Sequence, residues 1–486
     1  MKLFLMVFFS FLFTSCSLPK KNDDSNTDYI DYEDAHSEAK HAYTSYNGLV
    51  MTGYQGWFTA DGDGAERGWH HYQKNGQFKP DYTSVDLWPD TSEYEKVYKT
   101  AFNHKNGSPA YTFSSFDKET VNLHFKWMKD YGIDGAFMQR FVTEIKNPEG
   151  KLHFNKVLEN ALHAANEHGR AISIMYDLSG CTSEDMEILI NDWKELQKTF
   201  SLFDNNINPT YLRHNQKPLL AIWGVGFDDN RKYSISDVNE MITKLNGGES
   251  RNSIMLGVPY YWRTLDNDTE KDSLLHSVIK LSDIIMPWAV GRYNSDSYRS
   301  VATKTLIEDI KWCKENNIDY VPLIFPGFGW GNLKNDPSSY NLIPREEGEF
   351  FWKQVSGAKL SGVESLYLAM FDEIDEGTAL FKCLRNSEVP LNGSGKFIGI
   401  EDHLESDYYL WLSGEARLVL LKMRYNILVI FYLAFLSMGY SQNSGYGKEK
   451  GFVDYVNPYM GNISHLLVPT FPTIHMPHSM LRVYPE

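Results

Sequence analysis

Four carboxylates crowd into five positions, Asp372, Glu373, Asp375 and Glu376, where the apolar run SLYLAMFDEIDEGTALF (Ser365 to Phe381) breaks into charge. Two acids close together at a partly desolvated strand end can divide one proton between them, because burial and mutual repulsion raise one pKa while the other group stays ionised. Hydrolysis of a glycosidic bond commonly uses such a pair: one acid protonates the departing oxygen and the other serves as base or nucleophile. Glu373 and Glu376 stand three positions apart, so a helical turn brings both to one side. Two other readings fit the same cluster: a solvated acidic loop, or a set of oxygen ligands for a hard cation such as calcium.

Other chemistries find no support. The chain has no G-x-x-x-x-G-K-[ST] loop, no G-x-G-x-x-G after its first apolar run, and no G-x-S-x-G elbow. His70 and His71 are adjacent on what reads as an extended segment and point opposite ways, which suits a loop carrying one ligand or one substrate contact. The cysteines Cys16, Cys181, Cys313 and Cys383 fit neither a zinc spacing nor a disulfide framework, and the last three are expected to be buried and free. A formal charge of −16 leaves no basic stripe to neutralise phosphates, which excludes nucleic acid as a partner. Aromatic residues make up 14% of the chain; they serve equally as core or as flat faces for sugar rings.

The acids need elements to hold them. Short apolar runs alternate with longer amphipathic ones: 49–58, 134–142, 171–180, 219–227, 253–262, 283–292, 320–330 and 365–373 read as strands, with helical spacing between them. Continuous apolar strands alternating with helices predict a parallel sheet, and eight such units favour a (β/α)8 TIM-type barrel of the α/β class over an open sheet. Barrels of this kind place their sites at the C-terminal ends of the strands. Those ends carry Tyr54, Trp57, Gln139, Arg140, Tyr176, Asp177, Trp223, Tyr260, Tyr261, Trp288, Arg292 and Trp330, with Trp69 and His70 in the first loop and Asp372 in the acidic cluster. Aromatics paired with hydrogen-bonding groups at every strand end suit a glycan, so all of these are expected to contact substrate.

The segment D-E-I-D-E-G-T (Asp372 to Thr378) resembles the N-E-W-x-E-G-T segment of glycoside hydrolase family 99 and its family 71/99-like relatives, endo-α-mannosidases and endo-α-mannanases. G-Y-Q-G-W-F at Gly53 to Phe58 and G-W-H-H-Y at Gly68 to Tyr72 resemble the first strand and loop of that group, and the likeness spans about residues 48–405. The resemblance implies hydrolysis with retention and no protein nucleophile. Glu373 would deprotonate the substrate 2-hydroxyl, which attacks C1, and Glu376 would act as general acid/base, with no cofactor or metal. Asp372 stands where the family has Asn, and Ile374 where Trp is usual, so the floor of the subsite is expected to differ. α-Mannan or mannose-containing oligosaccharides are the expected substrates. The alternatives are another glycan, such as one containing xylose or arabinose, or a surface glycan-binding lipoprotein without catalysis.

The ends of the chain have a different character. Residues 1–16 read as a lipoprotein signal peptide, with an apolar run too short to span a membrane and Cys16 after small residues as the lipidation site; an ordinary signal with an incidental Cys is the alternative. Residues 17–47 read as a polar tether, 48–410 as the barrel, 411–422 as a junction and 423–442 as a second signal-like apolar segment, short for a transmembrane helix. Residues 443–486 read as a truncated fragment: Val456-Asn457-Pro458, Gly461 and Phe471-Pro472 resemble the N-terminal opening of glycoside hydrolase family 92, a family of exo-α-mannosidases. The expectation is a monomeric lipoprotein of a gram-negative bacterium, held on the outer membrane or cell surface, or on a periplasmic face.

Overall fold

Each apolar run read as a strand contributes one to a single parallel sheet in the computed structural model, which describes residues 43–247 and 252–420. The strands are β1 (Val50–Tyr54), β2 (Gly135–Phe141), β3 (Ala171–Asp177), β4 (Lys217–Trp223), β5 (Ser253–Pro259), β6 (Ile284–Trp288), β7 (residues 319–324) and β8 (Leu366–Leu368). Neighbours in sequence are neighbours in the sheet, and β1 pairs with both β2 and β8. β7 bonds in two pieces, Asp319–Tyr320 to β6 and Leu323–Ile324 to β8. Pro322 sits between the pieces, where it has no N–H to give, and its carbonyl accepts from Tyr367 N at 3.1 Å. One segment therefore joins both ends of the sheet, the arrangement of a TIM-like barrel.

Alternation along the strands builds two cores. Met51, Phe137, Met175, Leu219, Met255, Met286 and Tyr367 fill the barrel interior. Their neighbours Val50, Ala136, Ile174, Leu220, Ile254 and Ile285 face the helices outside. Full burial of each large aliphatic chain contributes about 1.5–3 kcal/mol, which makes the strand register costly to shift. The helices show the matching period. α1 (Lys118–Asp130) buries Val121, Phe125 and Met128 on one face. α2 (Pro148–His168) starts with proline in its first turn and stops at Gly169, whose φ of 60° suits glycine. α3 (Asp185–Thr199) follows β3 on the same outer layer. Residues 55–117, between β1 and α1, form the long first loop, which includes an antiparallel hairpin of Tyr98–Asn103 and Pro109–Thr112.

The domain is longer at both ends than the sequence suggested. Residues 43–47, read as tether, belong to it: Tyr46 is wholly buried and donates to Leu366 O at 2.8 Å, and Tyr43 donates to Gly169 O at 2.6 Å. Residues 408–420 form a helix that continues through the expected junction, with Tyr409, Leu412 and Ala416 buried. Its Arg417 Nε bonds Asp134 Oδ1 at 2.7 Å, a buried ion pair that fastens the helix beside the start of β2. The apolar period simply carries on past Leu410 into this helix. The signal peptide with Cys16, most of the tether, the second apolar segment and the family-92-like tail lie outside the described residues.

Candidate active site

The acidic turn is built onto β1. Phe371 N bonds Gly53 O at 2.8 Å, and a Cβ at Gly53 would collide with the Met370 and Tyr367 side chains, so only glycine lets β8 leave the barrel here. Gly56, at φ 61°, bends the chain so that Gln55 N (2.7 Å) and Gly56 N (2.9 Å) both donate to the Asp372 carboxylate. Asp372 is thus a brace between two strand ends, fully buried, and burial pushes it up to about 7 despite those two donors.

The remaining acids differ by their partners. Glu373 accepts from Gln55 Nε2 and, at 2.5 Å, from Thr378 Oγ1; burial, then the charge of Asp375, push it up to about 8. Asp375 is buried, with Oδ2 3.4 Å from His71 Nδ1 and Oδ1 lacking any partner, and burial pushes it up to about 7. Glu376 is half-buried, and its carboxylate has no hydrogen-bond or ion-pair partner among the described residues. Burial, then Glu373 and Asp375, hold it well above the usual carboxylate range. Ile374, expected to alter the subsite floor, is instead wholly buried, and its carbonyl accepts from Asp86 N and Leu87 N at 3.0 Å. Among the described residues no three His, Cys, Asp or Glu side chains are grouped to hold a metal ion.

Around the acids, one wall comes from the first loop. His71 stacks on Trp57 with centroids 3.7 Å apart and planes 6° apart, and Trp57 stacks on Phe141 of β2 at 4.9 Å. Beside them Arg67 donates to Glu144, and His70 Nε2 lies 2.8 Å from Arg67 Nη2. Hydrogen bonding to His70, with its positive surroundings, holds Glu144 near 2. Opposite, Asp177 ends β3 beside Trp223 of β4, and its charge reaches Glu376. Trp223 meets Trp288 edge-on at 5.2 Å, and the Arg231 guanidinium covers it at 5.3 Å. Tyr261 and Arg292 stand half-buried at the β5 and β6 ends, tied together by Asp268, which takes Tyr261 N at 3.2 Å and Arg292 Nε at 2.5 Å. Trp330, after β7, packs on Phe328 at 4.9 Å under Lys334.

Several expected contacts point elsewhere. Tyr54 is wholly buried between barrel and α1, bonded to His124 Nδ1 at 2.8 Å. Arg140 and Tyr176 both face the helices and converge on Asp192 of α3, Arg140 through Nε (2.5 Å) and Nη2 (2.7 Å), Tyr176 through its hydroxyl (2.6 Å). Tyr260 packs on Tyr293 at 5.7 Å in a buried aromatic layer, and Trp69 packs on Phe78 at 5.0 Å within the first loop. Gln139 does point inward, but lies buried below the mouth, donating to Tyr367 Oη at 3.0 Å. Successive strand residues alternate sides, so a strand end offers its last residues to the cleft only by turns. No sequence signal marked Glu144 or Arg67, and Gln55, at the end of the first strand, is now seen to reach Glu373; the G-T after the second Glu placed Thr378 within reach of the same acid.

The raised acids set a pH dependence. A carboxyl whose folded pKa lies above its unfolded value contributes stability that is complete below about pH 4 and is lost as pH rises through the folded value. For Asp375, raised to about 7, that window runs from roughly pH 4 to 7. Denaturant unfolding of Asp375→Asn beside the parent should show the variant gaining relative stability as pH rises across it; a difference independent of pH would contradict the burial of this charge.

No family model matches the chain, and no curated protein matches it. Among solved structures, the chain is similar to the glycoside hydrolase family 99 endo-α-mannosidase of Bacteroides thetaiotaomicron, with 14% identity and a TM-score of 0.55 over 79% of this chain and 99% of that one. A structure of that enzyme in complex with bis-tris-propane is similar at 15% identity and TM-score 0.54, over 78% of this chain and 99% of that one. The likeness is one of architecture, and the chain has a fold shared with glycoside hydrolases.

Proposed function

We propose that the chain is a glycoside hydrolase that cleaves α-linked glycans, with α-mannan or mannose-containing oligosaccharides as substrates. The observation that carries this is the unequal pair at the barrel mouth: among the described residues Glu373 takes two side-chain donors and Glu376 takes none. Donors favour the ionised form, so Glu373 releases its proton first and Glu376 keeps its own. Glu376 then gives that proton to the departing oxygen, while Glu373 takes the proton of the 2-hydroxyl as that oxygen bonds to C1. Glu376, now ionised, takes a proton from the water that attacks C1, Glu373 returns its proton to the 2-oxygen as the strained ring opens, and the configuration at C1 is retained. The architecture shared with the family 99 endo-α-mannosidase and the family-like E-x-x-E-G-T segment support this assignment; the sugar rests on the resemblance alone. Lipidation at Cys16 and surface location belong to the same proposal.

Digestion of a panel of α-glycans, followed by proton NMR of fresh products, tests it. The expected result is new reducing ends from α-mannan with the α configuration. Release from another α-glycan alone would move the substrate assignment, and release from none would overturn the enzyme reading in favour of glycan binding.

A further inference from the structure

Of the two acids in the cluster that the reaction does not use, Asp372 is bound to the backbone of β1, while Asp375 has unusual surroundings. It lies between the working pair, two positions after Glu373 and one before Glu376, 3% exposed, with Oδ1 buried and lacking a hydrogen-bond partner among the described residues. Its other oxygen faces a single ring, His71, at 3.4 Å. That ring is fixed in place. His71 has a left-handed backbone, φ 60°, its carbonyl accepts from Ser84 Oγ, and the imidazole lies flat on Trp57. A side chain held in a disfavoured backbone conformation and clamped by a stack is placed for its ring nitrogen.

We propose that His71 and Asp375 form a proton-holding pair, in which Asp375 keeps a proton on Oδ2 and donates it to His71 Nδ1, so that Glu373 beside it is free to ionise. The pair rests on the reading of Glu373 as the base, and makes His71 and Asp375 positioning residues for it.

The reverse arrangement, His71 donating to an ionised Asp375, fits the surroundings poorly. An ionised Asp375 would leave Oδ1 buried without a well-aligned donor among the described residues; the backbone N–H groups of Asp375 and Glu376 favour its charge but do not offset the burial. It would also face the carboxyls of Glu373 and Glu376 on its own turn, and that of Asp86 from the first loop. Asp86 is itself occupied, accepting from Gly331 N and Asn332 N at 2.7 Å. Tyr72, the other ionisable group near Asp375, is turned away to Phe113 O. Asp372, the fourth acid of the turn, is committed to the backbone of β1. Behind His71 lie His70, Arg67 and Glu144, whose mutual contacts leave His71 as an uncharged ring; burial holds His71 well below its ordinary value. A neutral His71 with its hydrogen on Nε2 has Nδ1 free to accept.

Nitrogen-15 NMR of the histidine rings in the intact protein at neutral pH tests the pair without any substrate, with His71→Phe identifying the signal. A neutral ring protonated on Nε2, with Nδ1 shifted as an acceptor, is expected; a ring protonated on Nδ1, or a cationic ring, overturns the proposal. Kinetics supply the second arm. Asp375→Asn, neutral like the protonated acid it replaces, should leave the acidic limb of the kcat/KM profile in place, whereas His71→Phe, which keeps the stack but removes the acceptor of the Asp375 proton, should let Asp375 ionise and move the limb upward. A limb that falls to lower pH in Asp375→Asn, the mark of an ionised acid in the parent, or one that stays in place in His71→Phe, would overturn the proposal. Absence of turnover in the parent would overturn the enzyme reading while the ring tautomer still decides the pair.

Discussion

Glu376→Gln is expected to slow release of reducing ends by about 10²–10⁴-fold, the range lost when a general acid is removed, while leaving glycan binding near its parental strength. Glutamine keeps the size of the side chain, and no hydrogen bond to the Glu376 carboxylate is forfeited. The defect should depend on the leaving group. An aryl glycoside whose phenolate departs without a proton should recover most of the first step in this variant. Glu373→Gln should fail on both substrates, because the 2-hydroxyl still needs a base whatever leaves from C1. It also replaces a carboxylate that accepts from Gln55 and Thr378 with an amide that can satisfy only one of them as acceptor. Steady-state rates on natural and aryl substrates for both variants make the check. The opposite pattern would exchange the roles of the two residues.

Arg140→Met should cost stability and spare chemistry. The Arg140–Asp192 pair is almost wholly buried, with side chains 2% and 3% exposed. Removing the guanidinium leaves Asp192 only the Tyr176 hydroxyl and the more distant Lys151 Nζ at 4.0 Å, and loss of one partner from a buried pair costs about 3–5 kcal/mol. Denaturant titration should show that loss, while kcat/KM per folded molecule stays close to the parent. A variant as stable as the parent but poor on substrate would return Arg140 to the cleft.

The two outcomes mark what a linear reading can and cannot reach. All eight strands were visible as apolar runs, since a buried parallel strand must be apolar on both faces. The acidic turn was visible because four acids in five positions stand out at the end of an apolar run, although one of them, Asp372, serves as a brace to β1. The facing of each strand end was not. Gln139 and Arg140 are adjacent letters, yet one points to Tyr367 inside the barrel and the other to Asp192 outside it. Alternation fixes this only once one inward residue is known, and the sheet pairs Arg140 with Tyr176, so both misplacements share one cause. Glu144 and Arg67 escaped notice for another reason: they lie 77 positions apart and meet only because the first loop folds back on β2.

The two ends of the described chain share a location that bears on how the protein works in place. Tyr43 and Arg417 are both anchored among residues that start strands: Tyr43 on Gly169, just before β3, and Arg417 on Asp134, just before β2. The acids stand at the opposite rim. Under the proposed lipidation of Cys16, the chain would join the barrel on the face away from the acids. The mouth that holds the acids would then be free of the point where the chain enters the barrel.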